Sequence, residues 1–386
     1  MTSAAATLSG VLDAPRRSFG ARVVEFLLVG GVTPLLFPLA SLSRRALGAD
    51  AAELGIGFLA FHAAHVVNDP HFSVTYVLFY KDVGRRLSAP YWGRAQQVRY
   101  VVAGFVVPVA LVTWAGVSLL ARSAVGLGWL INVMFLLVGW HYARQGFGVL
   151  SILCARHGAR LEAVERRVYS AHAFAAWAYA WASPADPGTE MEERGVVYTS
   201  FAHGRSLESV AFVCFATTAA AVAFVILRRR LGTGRFPPLA PLAGYLAALW
   251  SWTVYSRVEP LVVYVIPALH SVQYLYFVWL LTGAEDRNRR ERPFASRSPA
   301  ARFGLLLLSA IVLAWLLFHG APEVLDAAFF PRRGRFFDPG DLGAAPCVAA
   351  FFVCVNIHHY FMDHVIWRRE NPDARLLPLA PSPKPG

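Results

Sequence analysis

Uninterrupted apolar stretches of about 20 residues recur along this 386-residue chain. No other feature restricts its folding so severely. Twenty residues of α-helix span about 30 Å, the thickness of a bilayer's hydrocarbon core. Inside that layer no water satisfies backbone N–H and C=O groups, so only helices and closed barrels can cross it. The apolar stretches are continuous and do not alternate every second residue as barrel strands do. That leaves helices. Charged residues make up only 16% of the chain and hydrophobic ones 56%, against about 25% charged in an average soluble domain.

The sequence therefore predicts an all-α, polytopic integral membrane bundle of about ten transmembrane helices. They fall at about 19–42, 52–80, 98–121, 126–152, 163–183, 209–228, 239–256, 260–282, 301–319 and 346–367. The arginines orient it. Arg85, Arg86 and Arg94 follow the second run, Arg156, Arg160, Arg166 and Arg167 the fourth, and Arg228, Arg229 and Arg230 the sixth. Arg287, Arg289, Arg290 and Arg292 follow the eighth, and Arg368 and Arg369 the tenth. The segment after the fifth, "SPADPGTEMEERG", is acidic. Basic loops stay inside, which places both termini in the cytoplasm and the protein in a bacterial inner membrane. Arg332, Arg333 and Arg335 run against this pattern, in a segment containing "FFDPGD" that is expected to fold on the surface. Residues 1–18 form a cytoplasmic segment, 19–369 the membrane domain, and 370–386, ending "PLAPSPKPG", a disordered tail.

A net charge of +12 is explained by these loops and does not call for nucleic acid. The first 15 residues carry no signal-peptide core, and the run from Phe19 to Leu42 is too long to be one, so it is expected to be retained. The four cysteines, Cys154, Cys214, Cys347 and Cys354, form no CxxC pair and suggest neither disulfides nor a zinc ribbon.

Two stretches are unusual for lipid-facing helices: "FHAAHVVNDPHF" at 61–72 and "NIHHYFMDHVIW" at 356–367. Nine of the 12 histidines fall inside apolar runs. His62 and His65, His141, His270, and His358 and His359 lie about 10–15 residues from the outer ends of four parallel-running helices. At about 1.5 Å per residue they share one layer near mid-membrane. At about 100° per residue, His62, His65 and Asp69 share a stripe; so do His141, Arg144 and Gln145; His270, Gln273 and Tyr274; and Asn356, His359 and Asp363. His358 lies about 100° from His359 and is kept with the set. His71 falls opposite His65 unless Pro70 bends the helix.

Each stripe joins a histidine to a hydrogen-bonding partner one turn later. A metal-bound imidazole needs such a partner on its other nitrogen. Ionisable groups at mid-membrane cost about 2.5–3.5 kcal/mol each and are normally paired. Metal ligands are therefore expected at His62, His65, His141, His270, His358 and His359, supported by Asp69, Asp363, Gln145, Gln273, Tyr274 and Asn356. Arg144 is expected to neutralise an aspartate or bind an anionic group. His172 alone on its run reads as packing, His71 and His364 as interfacial, and His157, His203 and His319 as outside the cluster.

Imidazoles and carboxylates without thiolates favour non-haem iron, with haem or zinc as the alternatives. The pattern is similar in type to the His-rich polytopic enzymes of lipid and carotenoid metabolism: membrane desaturases and hydroxylases, and the bacterial Brp/Blh-type carotene dioxygenases. An HxxH at His62–His65 and an HH pair at His358–His359 carry it; the full HxxxH and HxxHH boxes are absent. The resemblance implies iron-dependent oxidation of an apolar lipid or isoprenoid, with membrane lipid around it and an electron donor as partner. A haem-binding electron carrier and a proton-coupled transporter are the two readings from other classes.

Overall fold

A computed structural model describes residues 18–89, 92–183, 188–288, 298–330 and 342–377. The N-terminal segment up to residue 17, Arg289, Arg290 and Arg292, the Arg332–Arg335 segment with "FFDPGD", and the tail from 378 lie outside the described residues.

The chain is all-α, and each of the ten apolar runs is helical. In order, the long elements are α1 (Phe19–Phe26), α2 (Thr33–Leu47), α3 (Ala49–Ala63), α4 (Asp69–Tyr80), α5 (Val83–Ser88), α6 (Arg94–Val101), α7 (Val107–Leu120) and α8 (Ala124–Arg156). Then come α9 (Ala163–Ala182), α10 (Arg205–Thr233), α11 (Leu239–Trp250), the short α12 (Ser256–Val258), α13 (Val262–Asn288), α14 (Pro299–Trp315), α15 (Ala321–Phe329) and α16 (Pro346–Ile366).

Among the described residues, five helices are long and apolar enough to cross a membrane: Arg94–Leu120, Ala124–Arg156, Arg205–Thr233, Val262–Gly283 and Ala300–Phe329. Phe19–Gly31 and Thr33–Leu47, bent by 68°, form a sixth if counted together. This is an integral membrane architecture, but fewer helices reach that standard than the ten expected. The shortfall has a physical cause. The runs at 49–80 and 346–366 carry the histidines and aspartates, Glu165, Arg166 and Arg167 open α9, and 239–258 is broken into short pieces. Polar residues are tolerable where a helix faces protein rather than lipid. Accordingly, 15 of the 21 residues of α16 are buried, whereas the most apolar windows are 17–44% buried. Helix α16 is the central strut, packed on α4, α7, α8 and α15.

Four π-helical turns interrupt the described helices, Ala64–Asn68, Val102–Val106, Ser251–Tyr255 and Leu316–Gly320, and Leu27–Gly31 is a kink at Gly30, whose φ is 118°. Three of them are followed, two residues on, by a proline: Pro70, Pro108 and Pro322. Proline supplies no N–H, and its ring pushes away the carbonyl four residues back. Widening the turn to i→i+5 relieves that clash and leaves a bend. The irregularity that Pro70 invites is therefore present, and it falls between His62 and His71.

The acidic segment after α9 forms a hairpin, β1 (Glu190–Glu193) and β2 (Val196–Thr199), in antiparallel register with Glu190 opposite Thr199. Arg194 and Gly195 make its turn at φ 53° and 87°, the left-handed pair that a two-residue hairpin requires. The hairpin lies over the start of α8. The Asn132 amide donates to the Thr199 carbonyl at 3.0 Å. Gly128 permits the approach, since a Cβ there would stand 2.8 Å from Cβ of Tyr198.

Candidate metal centre

Four histidines from four helices meet in the core. His71 stands just past the Asp69–Pro70 bend on α4, His141 midway along α8, His270 three residues beyond Pro267 on α13, and His359 on α16. Their rings form a closed circuit. Centroids are 4.5 Å apart for His71–His359, 5.1 Å for His71–His270, 4.8 Å for His141–His270 and 5.0 Å for His141–His359. Ligand nitrogens of His71, His141 and His359 all lie within 4.8 Å of one another. His71 and His359 are fully buried, and His141 and His270 nearly so.

The nitrogens divide into two kinds. Some look outward to supporting groups. His71 Nδ1 is 3.2 Å from Ser271 Oγ, and His141 Nδ1 is 3.6 Å from Asp363 Oδ2. Asp363 is itself fixed: Trp367 Nε1 donates to Oδ1 at 2.5 Å, and the Tyr274 hydroxyl bonds it while also meeting Thr75 Oγ1 at 2.7 Å. Other nitrogens lack such support. His71 Nε2, His270 Nδ1 and both nitrogens of His359 have no hydrogen-bond partner among the described residues, and His141 Nε2 faces His270 Nε2 at 2.9 Å. A buried polar atom left unsatisfied costs about 1–3 kcal/mol, and a cluster of them in one spot demands an explanation. Coordination supplies one. Two nitrogens bound at a right angle to one ion, with bonds of about 2.1 Å, stand about 3 Å apart.

The expected ligands separate. His141, His270 and His359 come together. His62 is exposed, its ring against Phe58 at 4.2 Å. His65 sits in the π turn with Asp69 and His319. His358 turns to tyrosines, 3.0 Å from the Tyr76 hydroxyl and 3.4 Å from that of Tyr80.

The supporting residues also divide. Asp363 and Tyr274 back the buried centre as described. Gln273 is committed to backbone, donating to the Val29 carbonyl at 2.6 Å and the Gly244 carbonyl at 3.1 Å, and accepts from Gln145 at 2.9 Å. Asn356 accepts from Tyr360 at 3.0 Å, and the Tyr360 ring stacks on His141 at 4.8 Å. Arg144 lies near Arg368 and Glu370 and meets neither aspartate: Asp363 is held by Trp367 and Tyr274, and Asp69 by His65. His172 bonds Thr218 and Trp250, both at 3.0 Å.

Two residues of the clusters are set aside by the sequence reading, His71 by its place on the helical wheel and His319 by its place at the end of an apolar run. Each lies beside a proline-linked π turn. A proline close to a histidine in an apolar run, Pro70 before His71 and Pro322 after His319, is the signal that could have recovered them, because an irregular turn changes which face the histidine occupies.

No protein-family model, curated protein or solved structure matches this chain.

Proposed function

We propose that the chain is a membrane metalloenzyme: a non-haem iron oxidoreductase acting on an apolar lipid or isoprenoid at the four-histidine centre. The observation that carries this reading is the trio of ligand nitrogens on His71, His141 and His359, all within 4.8 Å of one another, with His270 Nε2 2.9 Å from His141 Nε2 beside them. Four neutral imidazoles suit a first-row transition ion. Thiolates are absent from the set: Cys154 and Cys347 are buried elsewhere, Cys214 is exposed, and Cys354 Sγ faces the Leu111 carbonyl at 3.7 Å.

Haem fits poorly. Its plane must lie between two axial nitrogens, about 4 Å apart with bonds of about 2 Å, and the His141–His270 separation of 2.9 Å leaves no such slot. Bound iron would supply redox chemistry toward C–H or C=C bonds, with the electron donor a separate partner. The chain's own residues orient and insulate. Ser271 and Asp363 fix ring directions, and the burial of all four imidazoles keeps bulk water out. A groove of about 470 Å³, walled by Trp315, Leu316, Gly320, Ala321, Val324 and Leu325, offers an apolar chain a resting place on the lipid side.

Protein purified in detergent is expected to contain at least one iron per chain and no haem absorption. Zinc in place of iron would move the reading to hydrolysis. Absence of any stoichiometric metal would favour a proton relay, which the 2.9 Å His141–His270 contact and the adjoining Asp363 could serve.

In this reading all ten helical segments cross the bilayer, with both termini on the cytoplasmic side of a bacterial inner membrane. Topology reporters fused in the β-hairpin and just after α13 should then report opposite sides. The same side for both would remove the ten-span arrangement.

A further inference from the structure

We infer that the chain holds a second, separate site for a divalent first-row metal ion, built from His65, Asp69 and His319. One ligand atom of each lies within 4.8 Å of the other two. His65 Nδ1 is 3.2 Å from Asp69 Oδ2, and His319 Nε2 is 3.7 Å from the same oxygen. The two rings are 4.9 Å apart. Asp69 is 8% exposed, against 34% for His65 and 27% for His319. The carboxylate is thus fixed in protein while the imidazoles reach the surface.

Two features point to a ligand rather than to a simple hydrogen-bonded pair. His319 turns its other nitrogen, Nδ1, toward Glu323 Oε1 at 3.6 Å, the carboxylate–imidazole arrangement that orients metal ligands. Both histidines also sit in π turns, His65 in Ala64–Asn68 and His319 in Leu316–Gly320. Such turns are rare and concentrate at functional sites. Each histidine is followed four residues later by a carboxylate, Asp69 or Glu323, and each π turn leads into a proline-containing helix start. Two structurally matched half-sites therefore converge from helices far apart in sequence.

Two imidazoles and one carboxylate on one side of an ion leave the remaining positions open, the donor set that non-haem Fe²⁺ commonly takes. The apolar groove begins at Gly320, next to His319 in the chain. Arg194, at the hairpin tip, has its guanidinium 4.4 Å over Phe352 and is close enough for its charge to act on Asp69. It opposes a cation there and is expected to weaken the site. The inference does not depend on the buried centre binding metal.

The test is a Co²⁺ titration of the full-length protein, stripped with chelator and kept in detergent, followed by visible absorption and by metal per chain. Wild type is expected to take up two ions. His319→Ala and Asp69→Asn should each lose the weaker-binding ion and keep the other, while His359→Ala does the reverse. Glu323→Gln touches only a surface carboxylate, so folding is not at issue; it should weaken the second ion by about 10-fold or more. Arg194→Gln should bind it several-fold more tightly. Co²⁺ uptake identical in wild type, His319→Ala, Glu323→Gln and Arg194→Gln would overturn the inference. Loss of uptake in His359→Ala alone would leave the buried centre standing and remove this one.

Discussion

His359→Ala is expected to strip the buried centre of its metal, lowering affinity by more than about 100-fold. Loss of a group that merely orients a ligand costs about 10–100-fold, and His359 supplies a donor itself. Its two nitrogens have no hydrogen-bond partner among the described residues and are fully buried. It also touches two of the other three rings, His71 and His141. Stability separates this from a packing role. In metal-free protein, alanine leaves a cavity, which alone would cost about 3–5 kcal/mol for an aromatic side chain. It also removes two unsatisfied polar atoms, each costing about 1–3 kcal/mol. The two effects nearly offset. Metal content should therefore collapse while the melting temperature of chelator-treated protein moves little. A large drop in melting temperature with unchanged metal content would show that His359 only packs.

Asp363→Asn is expected to weaken metal binding at the same centre by about 10–100-fold while keeping the fold. The carboxylate lies 3.6 Å from His141 Nδ1 and favours a proton on that nitrogen, which leaves the Nε2 lone pair free for an ion. Asparagine can still accept from Trp367. Its NH₂ group, turned toward His141, would favour the opposite tautomer and place a proton on Nε2, where the ion should bind. Asp363→Glu retains the charge but, one methylene longer, displaces it, and is expected to fall between. Metal affinity equal in wild type and Asp363→Asn would mean that the carboxylate serves only Trp367 and Tyr274.

Helix positions were legible because the bilayer's requirement is one-dimensional: a continuous apolar stretch of sufficient length. Much of the centre was legible for a related reason. Depth can be counted along a helix, and His141, His270 and His359 were matched by depth alone. Azimuth was less accessible. An assumed 100° per residue holds only while the helix stays regular, and the turn at Ala64–Asn68 lies between His62 and His71. The regular wheel therefore favoured His62, which is exposed, over His71, which is buried with the other three rings. On α16 no such turn intervenes, and the wheel correctly separated His359 from His358 by about 100°. Charge logic offers Arg144 an aspartate or an anionic group of a bound molecule, and the aspartate is not its partner. Arg144 instead lies close enough to Arg368 and Glu370 for their charges to act on it.

A π turn contains one residue more than the α-helical turn it replaces. The Ala64–Asn68 turn therefore acts as a phase shifter built into a helix. Deleting one residue from it would restore a regular screw and rotate everything upstream, His62 and α3 included, by about 100° relative to Pro70 and His71. Neither helix axis would need to move far. Aim can thus be changed by chain length alone, without altering any side chain. The same holds at Leu316–Gly320, so a single-residue deletion at either place would re-address one half of a metal site and, with it, the face that the upstream helix presents to its neighbours.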